Sequence, residues 1–452
     1  MSDRDEFDPE RPITRDELAS FFRQSFTARD DWRVGLEIEH LGVDAGTGMP
    51  LPFVGDTSIT SVLEGLRDRF DWQDVRDLPG DRLGGLKRGD SAITLEPGAQ
   101  LELASAPALT THELDREHRT HLEELRAVAG ERIAWLGTGY HPLAALADAP
   151  HVPRPRYDAA REFIVTRGST GLDMMYLSCS TQVNLDYASE RDACRKLRVA
   201  NAIAPISATM FANSPFYRGA VAATSSRRLA IWLDLDPDRT GIDPFTWGSE
   251  LSFERYVEWV LDARLVLMVR DGRILANPGV TFRQLMRDGY RGFQATVGDW
   301  MVHANTCFPE ARIKFKTLEI RGPDSLPASL VPAVPALYRG LLYDPDTLAW
   351  CEQLIADWPA EEVVRARQET PAQGLRVSLA GRPLSHWASD LVQAAWAGLE
   401  RLARAGGHAS EAGYLEPIAE LLADGRTPAD VLLERARAQG TDPAALIAIC
   451  RA

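Results

Sequence analysis

RVGLEIEHLGV, residues 33–43, reads as a β-strand that places two carboxylates on the same face. Side chains of a strand alternate with a period of two, so Glu37 and Glu39 point to one side while Leu36 and Ile38 point to the other. One face of an antiparallel sheet is often solvated, and a single pair of glutamates on it is most simply explained in that way. Whether this pair belongs to a functional site therefore depends on what the other strands contribute.

The composition describes an ordinary globular chain with an acidic surface. It has 452 residues and a formal net charge of −15, which disfavours nonspecific binding to nucleic acid or to anionic lipid. We expect no membrane span and no signal peptide, because no long uncharged apolar run exists and the first residues are charged. The five cysteines are scattered without a CxxC pair, which favours a reducing cytoplasm over a zinc site or a disulfide framework.

The element pattern predicts an α+β fold with a mainly antiparallel sheet. Residues 91–107, SAITLEPGAQLELASAP, predict a hairpin with Pro97 and Gly98 at its tip, and a helix follows from Thr110 to about Gly130. A first helix is predicted behind the capping box of ITRDELASFFRQSF. Further strands are predicted in LDMMYLSCSTQVNLDY (172–187), RLAIWLDLD (228–236) and KTLEIRG (316–322). The sequence from about residue 328 to 452 predicts helices that pack on the sheet. We therefore expect residues 1–452 to form one unit.

Acidic side chains recur on these strands. Glu96 and Glu102 flank the hairpin turn, Glu319 lies between two aliphatic residues, and Gln182 and Asn184 share the polar face of their strand. Two carboxylates about 4 Å apart repel by about 4 kcal/mol at an effective dielectric of 20, so a concave cluster needs protons or cations. Each glutamate alone is more simply a solvated residue. An all-oxygen cluster on neighbouring strands would favour Mg²⁺ or Mn²⁺ over Zn²⁺.

Several common catalytic motifs are missing. The sequence has no GxxxxGK[ST] phosphate loop, no GxGxxG after a strand and no GxSxG nucleophile motif. A nucleotide would therefore be held through metal ions and arginines. The histidines are scattered, and we expect His141 and His303 to be structural.

The order of the motifs resembles the plant and proteobacterial type of glutamate–cysteine ligase, a family of glutamine-synthetase-like carboxylate–amine ligases. The resemblance covers most of the chain and rests on GLEIE (35–39), LEPGAQLEL (95–103), LDMMYLSCSTQVNLDY (172–187), SSRRLAIWLDLDPDRTG (225–241), FPEARIKFKTLEIRG (308–322), LYRGLLYD (337–344) and EAGYLEPIAELLADGRTPADVLLER (411–435). It implies a curved antiparallel sheet that forms an active-site funnel.

The resemblance also implies an activity and its residues. The reaction would join the γ-carboxylate of glutamate to the amine of cysteine through a γ-glutamyl phosphate, with ATP and two or three Mg²⁺ ions (Mn²⁺ as a substitute), as the first step toward glutathione. The metal ligands would be Glu37, Glu39, Glu96, Glu102, Gln182 and Glu319. Glu37, Glu319 and Arg321 would be catalytic, and Arg321, Arg228 and Asn184 would bind substrate. We expect this chain to act as a monomer or a homodimer in the cytoplasm, without nucleic-acid or membrane partners.

Departures from the family pattern leave the amine acceptor open. LEIRGPDSLP lacks the usual RGADGG, and the segment before Glu319 is one residue longer than usual, which predicts a bulge or a changed register. The alternatives are a relative with another amine acceptor or pathway, for example of the ergothioneine type, and an inactive homologue kept for binding. For Arg321 a salt bridge to Glu319 is the alternative to substrate binding. Neutralising Glu37 or Glu319 is expected to abolish turnover and to leave the fold intact.

Overall fold

A nine-stranded sheet built around the long strand β1 organises the computed structural model, which describes residues 8–248 and 251–452. The strands in the described residues are β1 (Val34–Asp44), β2 (Gln73–Leu78), β3 (Arg82–Arg88), β4 (Ser91–Leu95), β5 (Leu101–Ala104), β6 (Ile133–Leu136), β7 (Thr181–Leu185), β8 (Phe216–Tyr217), β9 (Ala220–Val221), β10 (Thr240–Gly241), β11 (Leu267–Arg270), β12 (Arg273–Ala276), β13 (Phe308–Pro309), β14 (Ala311–Ile313), β15 (Leu318–Ile320), β16 (Ser378–Leu379) and β17 (Arg382–Pro383).

The α-helices cover the sheet and extend beyond it. They are α1 (Ser20–Arg23), α2 (Ile59–Arg69), α3 (Thr111–Ala129), α4 (Pro155–Ile164), α5 (Gly171–Leu177), α6 (Glu190–Met210), α7 (Arg227–Trp232), α8 (Phe253–Asp262), α9 (Phe282–Asp288), α10 (Val297–Asn305), α11 (Ala333–Leu342), α12 (Pro345–Ile355), α13 (Ala360–Gln373), α14 (Leu384–Gly406), α15 (Glu416–Ala423), α16 (Pro428–Gln439) and α17 (Pro443–Ile449). No helix in the described residues is long and apolar enough to cross a lipid bilayer.

The strand order is β14-β15-β7-β1-β5-β4-β3-β2, and β6 pairs with the second half of β1. Every pair along this path is antiparallel. The path begins at β14 and ends at β2, so the sheet is open and not a closed barrel. The predicted α+β class with a mainly antiparallel sheet is confirmed. β1 lies at the centre of the sheet because it is long enough to pair with β7 and β5 along its first half and with β6 along its second half.

The two faces of the sheet differ sharply in polarity. Leu36 and Ile38 of β1 are buried against α11, and α6 packs behind β14 and β15. One cluster of buried apolar side chains runs from Ile13 to Leu422, and it therefore includes the C-terminal helices as well as the sheet. Aliphatic residues of the strands occupy the core face, which leaves the alternating polar positions on the opposite face. That residues 1–452 form one unit stays a prediction.

Two predicted strands are wrong because their apolar runs form helices. The first half of residues 172–187 is α5, and only its second half is the strand β7. Residues 228–236 begin as α7, whose N-cap Ser226 accepts a hydrogen bond from the backbone N–H of Leu229 at 3.0 Å. Short apolar runs do not distinguish a buried strand from a buried helix by periodicity, and the N-cap serine was the signal that decided α7.

Two smaller predictions are also corrected. The capping box of Thr14 and Glu17 is present, but it opens a 3₁₀ turn (Arg15–Glu17) followed by the single turn α1 in place of one long helix. The extra residue before Glu319 does not form a bulge. The register of β14 and β15 is regular, and the turn 314–317 joins the two strands; a register changed relative to the family stays a prediction. The predicted hairpin of residues 91–107 and the helix after Thr110 are confirmed as β4, β5 and α3.

Candidate active site

The predicted acidic residues lie on the sheet face opposite the core. Directly opposed residues of an antiparallel pair point to the same side, so the strand register decides which side chains are neighbours. The register pairs Glu37 with Gln182, Glu39 with Glu102, and Glu319 with Asn184. Four strands, β5, β1, β7 and β15, therefore bring these side chains together.

Glu96 is placed by the hairpin turn between β4 and β5. Gly98 at the tip approaches the backbone of α5 so closely that a Cβ atom there would lie 2.2 Å from the carbonyl oxygen of Tyr176. Gln100 ties the same turn to α5, because its Nε2 donates to the carbonyls of Met175 at 3.2 Å and Ser178 at 3.0 Å. The turn is thus held against α5, and Glu96 is held at the end of the acidic face.

Glu39, Glu96 and Glu102 form the acidic half of the face. Burial, together with repulsion from Glu96, raises the pKa of Glu39 to about 7. Burial and the negative charge of Glu37 raise the pKa of Glu102 well above its usual range, and burial also raises the pKa of Glu96. The Ser180 N–H and Oγ–H donate to Glu39 at 2.8 and 2.9 Å, and these bonds only partly offset the repulsion.

The acidic half fits a hard divalent cation by the chemistry of its donors. All three groups are carboxylates whose pKa values are raised mainly by burial, with repulsion from neighbouring glutamates adding to it, so a bound divalent cation would stabilise their ionised forms. Within the described residues, no group of three or more His, Cys, Asp or Glu side chains stands close enough to form a complete protein cage. Mg²⁺ rarely uses such cages, because it keeps waters and bridges one or two carboxylates to phosphate oxygens.

Glu319 lies in the basic half of the face, beside Arg312, Lys314 and Arg321, which we call the basic cluster. Its carboxylate pairs with Arg312 and Lys314, and Arg321 Nη1 donates to it at 2.9 Å. Burial alone would raise the pKa of Glu319, but the charges of these three side chains outweigh burial and hold the pKa well below its usual range. Glu319 is therefore an ionised anchor for three cations. Its predicted role as a metal ligand stays a prediction.

Glu37 joins the two halves. Its Oε1 accepts hydrogen bonds from Asn184 Nδ2 at 2.9 Å and from Lys314 Nζ at 3.2 Å. Asn184 is held in turn by Thr317, whose hydroxyl donates to Asn184 Oδ1 at 2.8 Å. Both polar ends of Asn184 thus have protein partners, which favours a positioning role, while its predicted contact with substrate stays a prediction.

Arg321 projects over the face from the end of β15. Its Nη1 also donates to Gln182 Oε1 at 2.7 Å, so that it bridges β7 and β15. The predicted alternative of a salt bridge between Arg321 and Glu319 is present, and Arg321 nevertheless borders the neighbouring cavity. Arg228, which is 3% exposed, donates to the backbone carbonyls of Arg321 at 2.8 Å and Gly322 at 2.9 Å. Arg228 therefore braces the chain that carries Arg321, and its predicted contact with an amino-acid carboxylate stays a prediction.

A cavity with an empty volume of about 890 Å³, counting its open mouth, adjoins the acidic half. Its polar side contains Glu39, Glu96, Arg228 and Arg321. Its apolar side is formed by α4, α5, α7 and the start of β13, with the residues Tyr157, Phe163, Ile164, Met175, Trp232 and Phe308. A cleft with one charged and one apolar wall can hold a charged substrate and exclude water from its reacting end.

Sequence reasoning missed the residues behind the face. Asp324 is fully buried, and it accepts hydrogen bonds from the backbone N–H of Asn213 at 2.8 Å and from Ser214 Oγ at 2.7 Å. Gly139 allows this packing, since a Cβ atom there would lie 2.2 Å from Asp324 Cγ. Arg312 and Lys314 were missed as well, although their spacing of two residues on a strand facing Glu319 was a usable signal.

The two histidines expected to be structural lie in the interior. His141 Nδ1 accepts the backbone N–H of Ala144 at 3.0 Å, and His303 Nε2 lies 2.8 Å from the carbonyl of Val260. Burial lowers the pKa of each to about 3, so both are neutral in the folded protein. Neither borders the cavity.

The open antiparallel sheet with carboxylates and arginines on one face agrees with the fold that the resemblance to the glutamine-synthetase-like carboxylate–amine ligases implies. More particularly, the chain belongs to glutamate–cysteine ligase family 2 (GCS2), whose family model matches residues 33–451.

Named relatives agree with this membership. The chain is 38% identical over 427 residues to the chloroplastic glutamate–cysteine ligases of Nicotiana tabacum and Arabidopsis thaliana, which covers 94% of this chain and 80% of each relative. Among solved structures, its fold is similar to that of the glutamate–cysteine ligase of Francisella tularensis in complex with AMP, with a TM-score of 0.55, 14% identity and coverage of 93% and 87% of the two chains. A bifunctional glutathione synthetase from Pasteurella multocida has a TM-score of 0.50 at 13% identity, covering 96% of this chain and 53% of that one.

The names of the plant relatives place those proteins in chloroplasts. They do not support the cytoplasmic location expected for this chain, which stays a prediction.

Proposed function

We propose that this chain is an ATP-dependent ligase that joins the γ-carboxylate of glutamate to the amine of cysteine and releases ADP and phosphate. The observation that carries the proposal is the face shared by Glu39, Glu96 and Glu102 on one side and the basic cluster on the other, with Arg321 at the border of the cavity. Family membership and the plant ligases support the same reaction.

The chemistry of the reaction explains why the site needs both carboxylates and cationic side chains. A carboxylate is a poor electrophile, so glutamate is first phosphorylated by ATP to a γ-glutamyl phosphate, which the amine of cysteine then attacks with release of phosphate. Phosphoryl transfer between two anions is accelerated by preorganised positive charge and by exact positioning of the reacting groups. Two or three Mg²⁺ or Mn²⁺ ions, when bound, would supply part of that charge.

The chain's own residues supply the rest. The acidic half, with Glu37 and Gln182, would hold the cations, and the AMP complex of the Francisella ligase supports binding of an adenine nucleotide. Arg321 would contact the transferred phosphoryl group or the substrate carboxylate, because its fork matches both. Arg228 keeps Arg321 in place through the backbone of residues 321–322.

The apolar wall of the cavity protects the intermediate. An acyl phosphate is hydrolysed by water, so the site must admit an amine and exclude solvent. Phe163, Ile164, Met175 and Trp232 border the cavity and provide such a surface. The acceptor amine would enter between this wall and Arg228.

The deciding experiment measures phosphate release from ATP with glutamate and a panel of amines (cysteine, 2-aminobutyrate, alanine and others), with the product mass determined for each. We expect cysteine to be the best acceptor and the product to be γ-glutamylcysteine. Arg321→Met should lower kcat by about 10²–10³-fold, while Arg404→Met, a change of the same kind at a side chain that is 68% exposed, should not.

The outcomes are distinct. If no amine stimulates ATP hydrolysis, the ligase proposal is wrong and a binding homologue is favoured. If another amine is preferred, the reaction class stands and the acceptor is revised. Gel filtration of the same preparation tests the predicted monomer or homodimer.

A further inference from the structure

Lys314 differs from the other members of the basic cluster in how it is held. Arg312 donates to the carbonyls of Asn305 and Cys307, both at 2.8 Å, and Arg321 donates to Gln182. In the part of the chain that the structure describes, the ammonium of Lys314 contacts only the carboxylates of Glu37 and Glu319. Arg312 and Arg321 thus also donate to neutral groups, whereas within the described residues Lys314 Nζ is held by two carboxylates alone.

The backbone that carries Lys314 is nevertheless fixed. Phe315, the next residue, stacks on the buried ring of Phe22 with centroids 5.3 Å apart and planes 8° apart. The turn is closed by the backbone N–H of Lys314, which donates to the carbonyl of Thr317 at 2.7 Å. A fixed Cα with a flexible four-carbon stem lets the ammonium exchange partners without a change in the sheet. The side chain is 26% exposed, compared with 7% for Arg312, so Lys314 is less tightly enclosed than Arg312.

Glu37 is the carboxylate at which the mobility of the Lys314 ammonium affects metal binding. It is the one carboxylate of the face that contacts Lys314 and also opposes Gln182 of the predicted metal shell. Glu37 Oε1 already accepts hydrogen bonds from Asn184 Nδ2 and Lys314 Nζ, which use both of its lone pairs. A divalent cation at this oxygen must therefore displace one of the two donors. Asn184 is also held by Thr317, whereas Lys314 keeps Glu319 as a partner when it leaves Glu37, so Lys314 Nζ is the donor that gives way.

We propose that Lys314 is an exchangeable counter-ion: it neutralises Glu37 in the free protein, competes there with the divalent cation, and moves to the phosphates when the metal–nucleotide complex binds. Lysine suits both positions, since it is a compact point charge that pairs with carboxylate and with phosphate. The device neutralises Glu37 without ligand and makes tight metal binding at Glu37 depend on the nucleotide. The second half of this inference rests on the proposed function.

The test measures Mn²⁺ binding to nucleotide-free protein by titration calorimetry or by the electron paramagnetic resonance of free Mn²⁺. Removing the competitor in Lys314→Met should tighten Mn²⁺ binding about fivefold, the size of one lost carboxylate–ammonium contact. Lys314→Arg should stay near the parent, because it keeps the charge. Lys316→Met, two residues along the same turn and exposed, makes the same change of charge away from Glu37 and should leave Mn²⁺ affinity unchanged.

The second arm measures the affinity of Mg²⁺-ADP for the same proteins. Lys314→Met should weaken nucleotide binding several-fold while it tightens Mn²⁺ alone, and a misfolded variant would not produce these opposite signs. Unchanged or weaker Mn²⁺ binding by Lys314→Met, or undiminished nucleotide binding, would overturn the inference. If no amine supports turnover while Mn²⁺ tightens as expected, the ligase reaction is wrong and the counter-ion at Glu37 stands.

Discussion

Glu39→Gln should stabilise the metal-free protein at alkaline pH and not at acid pH. The pKa of Glu39 is about 7 in the folded protein, against an ordinary value of 4.5. Each pKa unit corresponds to about 1.4 kcal/mol, so ionised Glu39 costs the folded state about 3 kcal/mol at pH 8.5. Because the folded pKa is raised, Glu39 contributes most to stability below pH 4.5, and that contribution is lost as pH rises through 7.

Glutamine has the shape of the protonated acid and cannot ionise. It has one acceptor oxygen fewer. If its amide nitrogen takes the place of Oε2, the hydrogen bond from the Ser180 N–H at 2.8 Å is lost, while those from Ser180 Oγ–H and Gln182 Nε2 to Oε1 remain, at a cost of about 1 kcal/mol. The expected net effect is a gain of about 2 kcal/mol in the free energy of unfolding at pH 8.5, and no gain at pH 5.

The assay is equilibrium urea unfolding with a chelator present, at pH 5 and pH 8.5, followed by tryptophan fluorescence. Glu64→Gln on the exposed side of α2 is the matched control and should change stability at neither pH. A gain of equal size at both pH values, or a loss at pH 8.5, would refute the claim that the acidic half stores electrostatic repulsion. The same variant should lose turnover, because it removes a predicted cation ligand.

Three further changes test other parts of the site. Glu319→Gln should lower the free energy of unfolding by about 3–5 kcal/mol in urea, because it leaves Arg312 and Arg321 without the carboxylate that they share with Lys314. This replaces the expectation of an intact fold, and parent-like stability would contradict it. Gly98→Ala should reduce kcat and thermal stability, since its Cβ would collide with the backbone of α5, while Gly413→Ala, with nothing within 4 Å, should match the parent. Burial lowers the pKa of His118, stacked on His40, to about 3, so the folded protein loses stability as pH falls from 6.5 toward 3. His118→Leu should reduce this loss of unfolding free energy at acid pH. An unchanged pH profile of stability would show that the residue does not contribute.

Much of the acidic face could be predicted because strand periodicity is local. Once residues 34–44 are a strand, Glu37 and Glu39 must share a face, and the Pro-Gly turn brings Glu96 and Glu102 near each other within one hairpin. The aliphatic residues between these acids indicated a half-buried sheet in the same way. These inferences need only the covalent geometry of neighbouring residues.

The predictions failed where a short segment suited two structures. LDMMYLS and RLAIWLD are apolar runs that a strand or a buried helix accommodates equally well, and contacts with the hairpin tip and the N-cap Ser226 made them α5 and α7. Propensity is weak at that length, and tertiary packing overrides it.

The sequence by itself determined the antiparallel class, the polar and apolar faces of each strand and the identity of the clustered acids. Only the tertiary structure decided which of those acids contact a cationic side chain. Glu319 contacts the basic cluster and Glu37 contacts Lys314, whereas Glu39, Glu96 and Glu102 have no direct cation contact within the described chain. The reason is physical. Alternation along a strand is a short-range property, whereas the charge next to a buried carboxylate depends on strand order, which places β7 between β1 and β15 and so puts the β14–β15 hairpin within reach of Glu37.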